Sequence, residues 1–138
     1  MFTKVLVANR GEIACRVIRT LHKMGIEAIS VFSDADAHSM HIALADESIR
    51  IGPAPAIQSY LDTYAILSAA RNSGSQAIHP GYGFLSENAD FAAECEDAGI
   101  CFIGPTSQQM KSFGLKHVAR ELAFKAGAPL FRTDDRDF

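Results

Sequence analysis

The chain has 138 residues, enough for one domain, and 48% of them are hydrophobic while 21% are charged. This balance is typical of a folded globular protein and argues against disorder. The formal net charge of −3 argues against nucleic acid as the main partner, because binding to a phosphate backbone favours a basic surplus. No apolar run approaches the roughly 18 residues that a membrane span requires, and no secretion signal opens the chain.

Short apolar runs alternate along the chain with longer amphipathic stretches. The runs predict strands over residues 5–8, 28–32, 48–51, 77–78 and 100–103. Helices are predicted over residues 11–24, 59–74, 87–98, a short stretch that begins at 106, and 115–126. The repeated strand–helix–strand order predicts an α/β fold: a Rossmann-like, doubly wound parallel sheet flanked by helices.

Several predicted helix starts carry a chemical signal. Residues 59–62 and 106–109 both fit the capping-box pattern. Glu87 is predicted in the first turn of its helix, where the helix dipole favours a carboxylate. Lys116 is predicted near the start of the last helix, where the dipole disfavours a cation unless an anion lies nearby. The residues alone leave two interpretations of Lys116, an anion-binding lysine or a solvated one.

The cysteines and histidines predict no metal site. Cys15, Cys95 and Cys101 form an odd set without paired spacing, which is a poor disulfide framework and does not fit a zinc knuckle. We expect three buried thiols in a reducing, cytoplasmic protein. His38 and His41 are too few to hold a metal, and His117 is either a base or a surface residue.

Two strand-to-helix turns are candidates for a ligand site. The turn at residues 7–12 has one glycine, whereas a dinucleotide fingerprint needs three, so it is either a tight turn or a segment near a ligand. Residues 79–88 run His-Pro-Gly-Tyr-Gly-Phe-Leu-Ser-Glu-Asn and leave a strand at its carboxyl end, where open α/β sheets bind ligands. Gly81 and Gly83 allow close backbone approach. This loop is either functional or a rigid connection with a helix-capping carboxylate.

The end of the chain differs from the rest. Residues 131–138 contain five charged side chains and show no core periodicity: Arg132, Asp134, Asp135, Arg136 and Asp137. We therefore expect one domain over residues 1–130 and an unpacked charged tail over 131–138.

Several motifs, in order, carry a family resemblance. They are Val-Ala-Asn-Arg-Gly-Glu-Ile-Ala (7–14), Ala-Asp-Glu (45–47), Ile-Gly-Pro (51–53), Ser-Tyr-Leu (59–61), the whole 79–88 segment and Phe-Ile-Gly-Pro (102–105). The chain resembles the N-terminal domain of biotin carboxylase, which precedes an ATP-grasp domain in biotin-dependent carboxylases. The Gly-Leu-Lys-His at 114–117 departs from the Gly-Asp-Lys of most members and is most similar to the urea carboxylase branch.

The resemblance implies a reaction and roles for individual residues. Such enzymes use ATP, Mg²⁺ and bicarbonate to form carboxyphosphate, and then carboxylate biotin on a carrier domain. Lys116 matches an ATP-binding lysine, and Arg16 and Arg19 match a subunit interface in dimeric forms, although Lys23 departs from the acidic residue usual there. Glu87 is the candidate catalytic residue. The residues that match the loop on the biotin and bicarbonate side are His79, Gly81, Tyr82, Gly83, Glu87 and Asn88.

The expected function is therefore the N-terminal part of an ATP-dependent biotin carboxylase. The chain ends before the ATP-grasp and C-terminal portions, so we expect it to be inactive alone and to bind no cofactor tightly. The alternative is a non-catalytic binding or assembly module that docks on an ATP-grasp partner chain. The 79–88 segment argues against a third interpretation, another enzyme family with the same type of domain before an ATP-grasp fold.

Overall fold

Residues 1–125, which the computed structural model describes, contain a sheet of five parallel strands. The strands are β1 (Lys4–Val7), β2 (Glu27–Ser33), β3 (Glu47–Gly52), β4 (Ala77–His79) and β5 (Cys101–Phe102). Their order is β3-β2-β1-β4-β5, and every pairing is parallel. The predicted doubly wound sheet is confirmed, and each predicted strand is present. The predicted tail, 131–138, lies outside the described residues.

The helices of the described chain lie between and after these strands. They are α1 (Gly11–Lys23), α2 (Met40–Leu44), α3 (Thr63–Ser73), α4 (Ala89–Asp97) and α5 (Ser107–Lys125). Single 3-10 turns occur at Asp34–Asp36 and Ala56–Gln58. The sequence pattern did not predict α2 or these turns, because each is too short to show a periodic apolar face.

The two faces of the sheet have separate hydrophobic cores. Leu6, Ile29 and Ile78 pack on one face against residues of α3 and α4, such as Ile66 and Phe91. On the other face, buried residues of β1, β2 and β4 pack against α1: Val5, Val7, Ala14, Ile18, Leu21, Ala28 and Ala77. Neighbouring strand residues thus pack on opposite faces, which explains why Val5, Leu6 and Val7 of β1 are all apolar.

Two helices begin later than the sequence predicts. Asp62 caps α3 by accepting a hydrogen bond from the Ala65 amide at 3.1 Å, whereas the Ser59 hydroxyl donates to the Pro55 carbonyl at 2.9 Å. Asn88 caps α4 by accepting from the Phe91 amide at 2.9 Å. The capping box expected at Ser59 is therefore wrong, and Glu87 precedes the cap of α4 instead of occupying its first turn.

The last two predicted helices are one continuous helix, α5. The capping box at its start is confirmed: the Gln109 amide donates to the Thr106 hydroxyl at 3.1 Å, and the Gln109 side chain accepts from the Thr106 amide at 2.9 Å. Lys116 lies in the middle of α5 and not at a helix start, so the dipole argument for an anion beside it is withdrawn. No helix in residues 1–125 is long and apolar enough to cross a membrane.

The cysteines partly match the expectation. All three are free thiols, and Cys15 and Cys95 are buried. Burial raises the pKa of Cys95 to about 12, so this thiol is a weak nucleophile. Cys101 is exposed, because it lies on β5 at the edge of the sheet. The prediction of three buried thiols is wrong at this position.

Candidate functional site

The carboxyl ends of β1 and β4 meet at the centre of the sheet. The chain adds β2 and β3 on one side of β1 and returns to place β4 on the other. This reversal is the switch point at which open α/β sheets leave a crevice for ligands. The two turns singled out in the sequence, 7–12 and 79–88, follow these adjacent strands. The structure therefore brings both candidate segments together.

The side chain of Asn9 joins the two turns. Its amide nitrogen donates to the Pro80 carbonyl at 2.8 Å and to the Tyr82 carbonyl at 2.7 Å. Its amide oxygen accepts from the Arg10 backbone amide at 2.8 Å. The backbone adds a further bond, from the Ala8 amide to the His79 carbonyl at 2.9 Å. The start of the 79–88 loop is thus fixed to the end of β1.

An ion pair with a buried carboxylate and a half-exposed arginine fixes the turn after β1 to the 3-10 turn after β2. Arg10 binds Asp36 with two bonds, each 2.7 Å, and the Tyr60 hydroxyl donates to Asp36 at 2.6 Å. The hydrogen bonds from Arg10 hold the pKa of the Asp36 carboxyl well below its usual range, although burial opposes this. Burial, together with the bond to Asp36, raises the pKa of Tyr60 to about 12. This network keeps its carboxylate ionised and its phenol protonated at neutral pH.

The charges of this ion pair affect the pKa of a nearby buried histidine. His41 of α2 is fully buried, and its Nε2 donates to the Val31 carbonyl at 3.1 Å. The other ring nitrogen, Nδ1, has no hydrogen-bond partner among the described residues. Burial lowers the pKa of His41, and the charge of Arg10 acts in the same direction while Asp36 opposes it. His41 is therefore a neutral, structural histidine at pH 7.

The 79–88 loop presents a mixture of fixed and exposed groups. The Gly81 amide donates to His79 Nδ1 at 3.1 Å, and burial lowers the pKa of His79. The side chain of Tyr82 is 78% exposed, and Glu87 also faces solvent. Phe84 folds back and stacks on Tyr60 with ring centroids 5.1 Å apart. Tyr82 and Glu87 are thus exposed to solvent, while the hydrogen bonds from Asn9 hold the loop backbone in place.

An apolar groove extends from this loop along α1. It has a volume of about 530 Å³, and its walls include Ile13, Val17, Met24 and Ile103. His79, Gly81 and Tyr82 line it as well, and so does Arg16. Arg19 is not among the residues that line the groove and pairs with Glu12 on its own helix at 3.7 Å. The two arginines expected at a subunit interface are therefore not equivalent.

The other predicted site residues are less closely connected. Asn88 is engaged as the cap of α4. Lys116 is exposed on α5, and within residues 1–125 no hydrogen bond or ion pair joins it to the 79–88 loop. No three His, Cys, Asp or Glu side chains of the described chain lie together as a metal site. These residues do not fit Mg²⁺ by themselves.

Sequence analysis missed most of the supporting network. Asn9 and Arg10 lie in a turn that was singled out, but their partners were not predicted. Asp36 and Tyr60 carry no local signal, since they lie 26 and 50 positions after Arg10 in the chain. One signal was available, because Asn9 and Arg10 directly follow the apolar run at residues 5–8. An amide and a cation in that position lie at the carboxyl edge of the sheet.

The comparisons with known proteins agree with this arrangement. The chain matches the family model described as "Biotin carboxylase, N-terminal domain" over residues 1–110. It is 55% identical over 128 residues to the methylcrotonoyl-CoA carboxylase subunit alpha of Rattus norvegicus, covering 93% of this chain and 18% of that protein. It is 53% identical over 129 residues to the biotin carboxylase of Pseudomonas aeruginosa, covering 94% of this chain and 29% of that protein.

A solved structure gives the same result for the fold. The crystal structure of K. lactis urea amidolyase superposes with a TM-score of 0.84 at 49% identity, over 94% of this chain and 8% of that one. The chain therefore spans less than a third of each of these relatives. The family match covers most of the described residues, and it includes the switch-point turns. The chain belongs to the biotin carboxylase N-terminal domain family.

Proposed function

We propose that this chain forms the N-terminal part of an ATP-dependent biotin carboxylase, which carboxylates biotin with bicarbonate. The observation that supports this most directly is the 79–88 loop. It lies at the switch point of the sheet, is fixed there by Asn9, and presents Tyr82 and Glu87 to solvent. A loop with a rigid base and exposed polar groups is suited to form one wall of a site that another domain completes.

Each residue of this wall has a distinct proposed role. Gly81 and Gly83 have no side chain, so a ligand can approach the loop backbone closely. Tyr82 and His79 line the biotin and bicarbonate side, and Glu87 is the carboxylate available for proton transfer or for orienting a reacting group. Lys116, an exposed cation on α5, binds a phosphate of ATP through a charge-assisted contact. No three His, Cys, Asp or Glu side chains within residues 1–125 lie together where they could hold Mg²⁺.

The proposed partners are the ATP-grasp and C-terminal portions of a carboxylase and a biotin carrier domain. Two apolar surfaces support such contacts. One is the groove along α1, and the other is α5, on which several apolar side chains are exposed: Phe113, Leu115, Val118, Leu122 and Phe124. Arg16 at the groove suits an acidic side chain of a partner, including a second subunit. We further propose a cytoplasmic location.

A chimera tests the proposal. Residues 1–129 of this chain replace the corresponding N-terminal segment of the Pseudomonas aeruginosa biotin carboxylase, to which this chain is 53% identical over 129 residues. We expect ADP release that depends on both biotin and bicarbonate, while the 138-residue chain alone shows none. A folded but inactive chimera would contradict the catalytic proposal and favour the alternative, a non-catalytic module that docks on an ATP-grasp chain.

The same chimera tests the role of Lys116. We expect Lys116→Ala to raise the KM for ATP, because a contact to phosphate is lost. Lys111→Ala is the matched control, since Lys111 is also exposed on α5. An unchanged KM for ATP in an otherwise active Lys116→Ala chimera would rule out the assignment.

A further inference from the structure

We propose that Asn9 is a positioning residue that sets the conformation of the 79–84 segment and, through it, the orientation of the biotin-side wall. The functional half of this inference rests on the proposed function. The structural half, that one side chain holds the loop, stands by itself.

The carboxamide of Asn9 forms hydrogen bonds through both its nitrogen and its oxygen. Its nitrogen carries two hydrogens, and these are donated to the Pro80 and Tyr82 carbonyls. Its oxygen accepts from the Arg10 amide. The residue is 1% exposed, so water cannot replace these bonds unless the 79–84 segment moves away from the end of β1. A carboxylate at this position would keep the bond to Arg10 but would have no hydrogen for either carbonyl.

The loop is shaped to fit this side chain. A Cβ atom on Gly81 would lie 2.6 Å from Asn9 Nδ2 and 2.9 Å from the Ile13 methyl group Cγ2. The loop backbone therefore lies directly on the carboxamide, with no room for another side chain between them. The close fit explains why a glycine is needed at position 81.

The loop also adopts a backbone conformation that needs support. Gly81 and Gly83 have φ of 66° and 70°, and Phe84 has φ of 43°. A left-handed phenylalanine is uncommon and costs free energy unless the surroundings enforce it. The two hydrogen bonds from the Asn9 side chain support the left-handed backbone at Gly81, since they bind the carbonyls of the residues before and after it.

Asn9 is itself anchored on both sides. The preceding residue, Ala8, bonds to the His79 carbonyl, and the following residue, Arg10, forms the buried pair with Asp36. The carboxamide is thus a short rigid link between the sheet and the loop. It contacts no solvent and takes no part in chemistry; it determines where the Tyr82 backbone, and therefore its exposed ring, is placed.

The structural half is tested by hydrogen exchange on the 138-residue chain. Asn9→Asp is compared with Asn88→Asp, the same change at the far end of the loop, where the side chain acts only as an acceptor. We expect the Gly81 and Ser86 amides to exchange roughly tenfold faster or more in Asn9→Asp, and at the wild-type rate in Asn88→Asp. The β2–β3 amides should be unchanged. If Asn9→Asp does not fold, Asn9→Ser, which keeps one donor, replaces it. Wild-type exchange at Gly81 in the folded variant would overturn the inference.

The functional half is tested in the active chimera. Asn9→Ser should raise the KM for biotin or bicarbonate, or lower kcat, by roughly tenfold or more, while the KM for ATP stays at its original value. Asn72→Asp, a change at an exposed position of α3, is the control. Equal kinetic constants in Asn9→Ser and the parent would overturn the positioning role. An inactive parent chimera would instead contradict the proposed function and, with it, the functional half alone, while the exchange result would still decide whether Asn9 holds the loop.

Discussion

Two bidentate arginine–aspartate pairs in this protein differ mainly in the burial of the aspartate, since both arginine side chains are about half exposed, at 50% for Arg10 and 57% for Arg50. Arg10 binds Asp36 with bonds of 2.7 Å and 2.7 Å, and Arg50 binds Asp34 with bonds of 2.6 Å and 2.9 Å. Both aspartates belong to the same 3-10 turn after β2. The Asp36 side chain is only 6% exposed, whereas that of Asp34 is 51% exposed.

The comparison predicts that two ion pairs of similar hydrogen-bond geometry contribute differently to stability. Water can solvate both partners of the Arg50–Asp34 pair if it breaks, so little is lost. At the Arg10–Asp36 pair the arginine is half exposed but the carboxylate is buried, so removal of the arginine leaves a buried carboxylate without its counter-charge. The Asp36 carboxylate also accepts the Tyr60 hydroxyl bond, and Arg10 follows Asn9 in the chain, so this pair supports the candidate site.

The largest expected effect comes from Arg10→Ala. We expect it to lower the free energy of unfolding by about 3 kcal/mol, because the buried Asp36 carboxylate loses its counter-charge and two charge-assisted bonds and keeps the weaker bonds from the Tyr60 and Ser39 hydroxyls. Arg50→Ala should leave the unfolding midpoint within experimental error. Urea denaturation of both variants measures the difference. Equal losses would show that burial does not distinguish the two pairs.

The next effect tests the contact between the loop and Asn9. Gly81→Ala and Gly83→Ala both force an alanine into left-handed backbone, which costs about 1–2 kcal/mol. Only the Gly81 variant also meets neighbouring atoms, since a Cβ on Gly83 has nothing within 4 Å. We therefore expect Gly81→Ala to be less stable than Gly83→Ala by about 1–3 kcal/mol. Thermal unfolding checks this, and equal midpoints would mean that the loop is not packed on Asn9.

A smaller and gradual effect should appear with pH. His41 and His79 have lowered pKa values in the folded protein, mainly because of burial. Their contribution to stability is complete above the unfolded pKa of about 6.5 and is lost as the pH falls through that value toward the folded pKa. The contribution of Asp36 is lost only below its unfolded pKa of about 3.9, because its folded pKa is lower still.

His41→Gln isolates one part of this pH dependence. The variant keeps a donor for the Val31 carbonyl but does not titrate, so its unfolding midpoint should fall less between pH 7 and pH 5 than that of the wild type. His38→Gln, at an exposed position, is the control. Parallel curves for the wild type and His41→Gln would contradict the assignment of a buried neutral histidine.

The smallest effect on stability is expected for the exposed lysines of α5. Lys116→Ala and Lys111→Ala replace exposed residues in the interior of α5, and alanine has the highest helix propensity. Each change should alter the free energy of unfolding by no more than a few tenths of a kcal/mol. A clear loss of stability in Lys116→Ala alone, measured by thermal unfolding, would show that this lysine is structural.

The fold was predictable because its signals are local. Each strand is a short apolar run, and α1 shows a clear apolar face, so neighbouring residues contain the information. The prediction failed where two local signals competed. Gly114 lies inside α5, yet a glycine suggests a break because it disfavours a helix by about 1 kcal/mol. The rest of the helix compensates for that penalty, which is why Lys116 was assigned to a helix start that does not exist.

The candidate site was only half predictable. The loop was singled out as a candidate because two glycines and a proline around a tyrosine form a compact local pattern. The network that supports them is not local: Asn9 reaches the carbonyls of Pro80 and Tyr82, and Arg10 reaches Asp36. Such pairs depend on which strands become neighbours, and only the order of the sheet determines that.

The order of the sheet also bears on how damage at one strand spreads. β1 lies in the centre of the described sheet and pairs with β2 on one side and with β4 on the other. The β2–β3 and β4–β5 pairs share no strand of their own. A change that prevents β1 from pairing would therefore divide the sheet into two separate halves, whereas loss of β3 or β5 would remove a single edge strand.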